Sequence, residues 1–161
     1  VISLIRKAFI SEDKLYRYLL YRRWSRGGEL LWVMLNPSIA DAEADDATTR
    51  RCIDLSSGWG FGAAVIVNLF GYISTDPKKL NSITDPVGPD NNSVLLDQLK
   101  KTDDCMVAWG SRPEIHPFHS RVKEISKHLP NNVMCLGLTK QNYPKHPLRV
   151  SSSTNPVRYV M

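Results

Sequence analysis

Apolar positions along the chain fall into short blocks separated by polar, Gly- and Pro-rich stretches. Tyr16–Trp24 is rich in Tyr and Leu and is followed by Arg26-Gly27-Gly28, a pattern that predicts antiparallel strands near the start and a turn after them. Glu29–Leu35 is a nearly unbroken apolar run that stops at Asn36-Pro37. A run of that length fits a strand buried on both faces of a sheet. Ala63–Val67 repeats the pattern and ends at Asn68, Cys105–Ala108 ends at Trp109-Gly110, and Val133–Leu136 is a fourth such block.

Helical periodicity lies between these blocks. After a polar loop, Ser38–Asp45, Asp46 can cap a helix that runs through Thr49, Cys52, Ile53 and Leu55 and stops near Gly58. A Pro/Asp/Gly-rich loop covers Tyr72–Asp90. Ser93–Lys101 places Val94, Leu95 and Leu99 on one helical face, and Pro117–Leu129 does the same with Val122, Ile125 and Leu129. Thr139–Met161 has little periodicity. The alternation predicts an α/β fold: a three-layer αβα sandwich with a mainly parallel central sheet of about four strands, plus an N-terminal antiparallel hairpin. Residues 1–161 read as one domain. In such sheets ligands sit at the carboxyl ends of the strands. Four blocks end there in polar or turn residues: Asn36-Pro37-Ser38, Asn68, Trp109-Gly110-Ser111, and the segment after Leu136.

Composition narrows the setting. The chain has 161 residues, enough for a core without staples, and 42% hydrophobic content. Cys52, Cys105 and Cys135 form no CxxC pair, so buried thiols in a reducing cytoplasm are expected. No apolar run approaches the roughly 20 residues of a membrane span. Val1–Ile10 lacks a basic segment followed by a long apolar core, so no secretory signal is expected. The net charge of +5 suits a polyanionic partner such as DNA. No GxxxxGK[ST] loop is present, which argues against a nucleoside triphosphatase. A monomer without cofactor or metal is expected; His116, His119 and His128 read as structural or solvated.

Taken together, the strand ends carry a resemblance. Val33-Met34-Leu35-Asn36-Pro37-Ser38 resembles the first motif of the uracil-DNA glycosylase superfamily, in which a buried strand ends in Asp-Pro or Asn-Pro. Val65-Ile66-Val67-Asn68 resembles the strand whose terminal Asn reads the pyrimidine edge, and Val107-Ala108-Trp109-Gly110-Ser111 resembles the third strand of that superfamily. His146-Pro147-Leu148 stands where the second, His-Pro motif is found. Order and rough spacing agree over about Leu31–Leu148. The whole chain also resembles a family of small bacterial and phage proteins described only as a domain of unknown function. That resemblance rests on Met-Leu-Asn-Pro-Ser, Asp-Asp-x-Thr-x-Arg-Arg, Val-Asn-Leu-Phe, Asp-Pro-Val-Gly-Pro-Asp, Ala-Trp-Gly and Leu-Gly-Leu-Thr-Lys.

The first resemblance implies base excision: hydrolysis of a C1′–N1 bond in DNA, with a positioned water, a stabilised base anion and a flipped nucleotide. Asn36 would hold the water, and Asp46, or Asp41 or Asp45, would supply a carboxylate. His146 would donate to the O2 of the departing base. Asn68 would read the Watson–Crick edge; Pro37 and Ser38 would line the pocket, and Phe70 or Trp109 would stack on the base. Lys140, Lys145, Arg149 and Arg50 would grip phosphates. No lysine stands where a Schiff base would form, so a monofunctional glycosylase is implied. Ser38 occupies the position of a bulky Tyr in the uracil-specific branch, which leaves room for a 5-modified pyrimidine and suggests defence against phages with modified bases.

Other readings of the same residues stand beside this one. They are uracil repair, a non-catalytic module binding a modified nucleobase or nucleotide, and an N-glycoside hydrolase of free nucleotides. Asp45 and Asp46 also fit helix capping, Phe70 and Trp109 fit core positions, and His146 fits a surface site. Arg50 and Arg51 fit a solvated helix face, and Arg22, Arg23 and Arg26 fit protection of an edge strand.

Overall fold

The computed structural model describes residues 4–160. Val1–Ser3, within the segment read for a signal, and Met161, the end of the aperiodic tail, lie outside the described residues. The strands are β1 (Ile5–Ile10), β2 (Arg17–Arg23), β3 (Glu29–Met34), β4 (Ala63–Asn68), β5 (Cys105–Val107), β6 (Met134–Cys135) and β7 (Val157–Arg158). The unbroken apolar runs supply the inner strands, because a strand with a core on each face needs apolar side chains at successive positions. β3 pairs in parallel with β4 on one side and β5 on the other, and β6 continues in parallel beside β5. β1, β2 and β7 pair antiparallel with their neighbours. The whole is one mixed seven-stranded sheet in the order β1-β2-β4-β3-β5-β6-β7.

The expected sheet of about four mainly parallel strands therefore gives way to a larger mixed one. The antiparallel hairpin is β1–β2 and is continuous with the rest of the sheet. Arg26-Gly27-Gly28 makes no hairpin between β2 and β3, because β4 lies between them. That insertion needs Gly62: a Cβ there would come within 2.5 Å of the Ser25 and Arg26 carbonyl oxygens. β7 falls in the tail that shows no periodicity, since its two residues are both exposed.

Helices cover both faces. Asp46 caps α1 (Ala47–Gly58), its carboxylate accepting from the Thr49 N–H at 2.8 Å. α1 packs Cys52 and Leu55 onto Leu30, Trp32 and Ile66, and the buried Trp32 indole donates to Ser56 Oγ at 2.9 Å. α2 (Asn91–Lys101) and α3 (Phe118–Ser126) bring Leu95, Phe118 and Ile125 onto the opposite face, against Val33, Val67 and Val107. Even-numbered residues of β3 and β4 thus face α1 and odd-numbered ones face α2 and α3. The three cysteines are free and buried. No helix among the described residues is long and apolar enough to cross a membrane.

β2 breaks the simple alternation. Its register against β1 shifts where Phe9 pairs with Leu19 and Ile10 with Arg17, so Tyr18 is the extra residue of a bulge. Arg17 is thereby turned to the α1 face, where its Nη1 donates to the Ala40 carbonyl at 2.7 Å. Arg22, fully buried, reaches the same loop. Its Nε donates to Asp45 Oδ1 at 2.7 Å, and its Nη2 donates to the carbonyls of Asp41 and Ala44. The arginine cluster read as edge protection is, at Arg22, a buried clamp on the loop between β3 and α1.

Removing one partner of a buried ion pair leaves the other charge without compensation, a change that costs about 3 kcal/mol or more. Asp45→Ala is expected to lower the unfolding free energy by about that amount in urea titrations. An unchanged midpoint would show that the carbonyl contacts alone hold Arg22.

Candidate active site

The β3 and β4 chains both leave the sheet on polar residues, and the loops after them diverge to leave a cleft of about 590 Å³ on the α1 side. Asn36, Ser38, Asp46, Asn68, Lys145, His146 and Arg149 all line it. The order of the strands sets the order of these groups. Arg17 of β2 comes first, then Asn68 of β4, Asn36 after β3, Ser111 and Arg112 after β5, and His146 in the segment beyond β6. Among the described residues, four cationic side chains (Arg17, Arg112, Lys145, Arg149) line the cleft with a single carboxylate, Asp46, so the cleft attracts anions.

Asn36 is held by the loop opposite. Its Nδ2 donates to the Ser74 carbonyl at 2.9 Å and to the Pro37 carbonyl at 3.1 Å. The amide hydrogens are thereby committed, which leaves Oδ1 as an acceptor for a water or a hydroxyl. An amide is not a base, and the carboxylates near it sort by their contacts. Asp45 is engaged by Arg22. Asp41 accepts from the backbone N–H groups of Glu43 and Ala44, and these bonds hold its carboxyl below the usual range. Asp46 uses Oδ1 as the α1 cap and has no protein donor on its second oxygen among the described residues. Capping and lining the cleft are thus compatible roles for Asp46.

Asn68 is buried, yet among the described residues neither its Nδ2 nor its Oδ1 has a hydrogen-bond partner. Leaving such a group unpaired costs about 1–3 kcal/mol, a cost that a ligand or water at the cleft floor would remove. The Asn68 backbone is fixed from behind: Asn91 Nδ2 donates to the Asn68 carbonyl at 3.0 Å, and Arg121 Nε donates to the Leu69 carbonyl at 2.7 Å. Both supports are buried polar residues that sequence reading passed over. Asp85-Pro86-Val87-Gly88-Pro89-Asp90 has a related task. Asp85 accepts from the Gly88 N–H, and the Val87 and Pro86 carbonyls accept from Gly71 and Tyr72.

His146 opens a short 3-10 turn, Pro147–Arg149, and its Nδ1 accepts from the Leu148 N–H at 3.2 Å. An accepting Nδ1 places the proton of the neutral ring on Nε2, which has no protein partner among the described residues. Burial, with Arg112 and Arg149 nearby, pulls His146 down to about 4. At neutral pH it is therefore an uncharged N–H donor facing a cationic cleft. Gly110, at φ +74°, lets the backbone turn beside the His146 Cβ, 3.7 Å from where a side chain would begin.

Other expected site residues lie elsewhere. Phe70 is fully buried in the core on the α2/α3 face. Trp109 lines the cleft, but it belongs to that same opposite core and stacks edge-on against Tyr159 at 6.0 Å, so its ring is no platform for a base. Trp109 continues the odd-numbered face of β5, while Phe70 lies past the end of β4, where the strand alternation has stopped. Pro37 is buried and outside the lining; its carbonyl accepts from the Ser74 N–H at 2.9 Å. Lys140 and Arg50 are exposed and outside the lining, Arg50 because it turns back to the Asp45 carbonyl. Conversely, Arg17, Arg112, Ser74 and Ser111 line the cleft and were not singled out as site residues. Among the described residues, no group of three or more His, Cys, Asp or Glu side chains is placed to hold a metal ion.

Residues 17–148 match the family described as "Protein of unknown function (DUF1643)", and the chain belongs to that family. No curated protein and no solved structure matches the chain.

The His146 geometry has a pH consequence. The fold favours the neutral ring, so the stability that His146 contributes is complete above its ordinary pKa of 6.5 and is lost as pH falls toward about 4. Nitrogen-15 NMR is expected to show a neutral Nε2–H tautomer at pH 6. In Arg112→Ala/Arg149→Ala the midpoint should rise. A ring already charged at pH 6 in the native protein would refute the assignment.

Proposed function

We propose that this member of the DUF1643 family is a monofunctional DNA glycosylase that hydrolyses the N-glycosidic bond of a pyrimidine, one carrying a substituent at C5. The observation that carries this reading is the convergence of three complementary groups in one cationic cleft. They are the free acceptor of Asn36, the unpartnered buried amide of Asn68, and the uncharged Nε2–H of His146. The resemblance of the strand-end motifs to the uracil-DNA glycosylase superfamily supports it, as does the order of these groups along the sheet.

The residues divide the reaction in a definite way. Asn68 meets the Watson–Crick edge of the flipped base with one donor and one acceptor. The C1′–N1 bond breaks with its electron pair passing to the base, whose O2 gains negative charge. His146 Nε2–H donates to that oxygen, and a neutral donor stabilises the anion without transferring its proton. Asn36 Oδ1 holds a water whose oxygen forms the new bond to C1′. Asp46, the only carboxylate lining the cleft among the described residues, takes the water's proton. Lys145, Arg149 and Arg112 face the flanking phosphates. Since the ring of Trp109 is in the core, the base would be sandwiched by aliphatic groups, Met34 and Ile66 from the floor and Leu148 from the lip. With Ser38 in the wall, a C5 substituent has room, which fits a role against phages whose DNA carries modified pyrimidines.

The test is an abasic-site assay on DNAs containing unmodified bases, uracil, 5-hydroxymethylcytosine or its glucosylated form. Product is expected from a modified DNA, with Asn36→Ala and His146→Ala each slowing it by about 100-fold or more. Tight binding without product on any DNA would favour a non-catalytic module, and turnover of free nucleotides alone would favour a nucleotide hydrolase. A further variant separates the two roles of Asp46. Asn caps a helix about as well as Asp, so Asp46→Asn should leave the melting temperature nearly unchanged while reducing turnover by about 100-fold. Unchanged turnover would leave Asp46 as a cap alone.

A further inference from the structure

The cleft extends one strand past Asn68, to Arg17 on β2. The Arg17 end is built differently from the His146 end. Arg17 itself is 3% exposed. Its Nη1 donates to the Ala40 carbonyl, while its Nε is buried without a partner among the described residues. Burial pulls the guanidinium down only to about 10, with Asp46 opposing the shift, so it is a cation at neutral pH and offers donors alone. It lines the cleft beside Asn68, from the adjoining strand, and the small Ser38 also lines the cleft.

These facts constrain what can lie next to the edge that Asn68 reads. We infer that Arg17 is a specificity-determining residue: the guanidinium hydrogens that the Ala40 carbonyl does not take require an oxygen acceptor on the C5 substituent of the pyrimidine. The cleft then accepts 5-hydroxymethyl and further O-linked pyrimidines and rejects thymine and 5-methylcytosine. The inference rests on the proposed pyrimidine glycosylase function. A methyl group in this position offers nothing to these guanidinium hydrogens and shuts water away from them. An oxygen on the same carbon accepts the bond. The difference between burying a donor satisfied and unsatisfied corresponds to about 10- to 100-fold in affinity. Such a filter acts against the most abundant 5-substituted pyrimidine in ordinary DNA, thymine, without any steric block.

The experiment is equilibrium binding of two fluorescent oligonucleotides that differ at one position, 5-hydroxymethylcytosine or 5-methylcytosine. The native protein is expected to prefer the former by tenfold or more. Arg17→Met, which keeps an unbranched chain and removes the donors, should bring the ratio close to one. Arg17→Lys, which restores a donor, should recover part of it. The native ratio decides even where a variant fails to fold. Equal affinity of the native protein for the two DNAs, with abasic product still formed from a modified DNA, overturns the role of Arg17 alone. So does a folded Arg17→Met protein that keeps the full preference. Equal affinity with no product on any DNA overturns the pyrimidine reading and this inference with it.

Discussion

The site depends on two arginines of one strand and on the bulge that aims one of them. Arg22 and Arg17 reach from β2 across the α1 face and hold the segment between β3 and α1 by its carbonyls and by Asp45. That segment runs from Leu35 to Asp46 and carries Asn36 near its start. Its polar backbone cannot pack as a strand or helix does, and without those donors its carbonyls would be buried unpaired. The ion pair itself contributes less than its Coulomb energy suggests, because both charges lose water. What it supplies is geometry: a loop of short polar residues fixed over the ends of the parallel strands.

The remaining supports have the same character. Asn91 and Arg121 act from the α2/α3 side on the carbonyls at the end of β4 and just beyond it, and the Ser74 carbonyl orients the Asn36 amide. The end of β4 at Asn68 and the loop that runs from Asn36 to Asp46 are thus each fixed by a backbone that buried polar groups hold in turn. Among the described residues nine buried side-chain polar atoms have no partner; five of them, Asn68 Nδ2 and Oδ1, Arg17 Nε, Trp109 Nε1 and Ser111 Oγ, belong to residues lining the cleft, and the other four lie on Tyr18, Asn91, Arg121 and Ser126.

Electrostatics select among occupants. Among the described residues, the cleft carries four cations to one carboxylate, and that excess adds to burial in holding His146 in its neutral form. A histidine near cations cannot easily gain a proton, so its role is restricted to donating the hydrogen it already has. Under the proposed function, the same field draws a phosphate backbone to the rim. Its salt dependence makes ionic strength a variable in any measurement of binding.

Much of the framework was legible in the chain itself. Unbroken apolar runs such as Leu30–Leu35 and Ala63–Val67 can only be buried on both faces, and the residues just after such strands lie at their carboxyl ends. The polar residues Asn36 and Asn68 were therefore legible as strand ends, and Asp46 before a periodic helix as its cap. Side-chain direction was less accessible. Trp109 keeps the odd-numbered face of β5, whereas Phe70 lies past the end of β4, where the alternation has stopped, and both enter the core behind the cleft. Arg17 reaches the cleft because a single-residue bulge at Tyr18 inverts the alternation of β2, and no local pattern announces a bulge. The insertion of β4 between β2 and β3 was hidden for a similar reason, since pairing between distant strands is a choice of tertiary contacts. Periodicity fixes which residues are buried; the order and register of the strands decide which of them face the cleft.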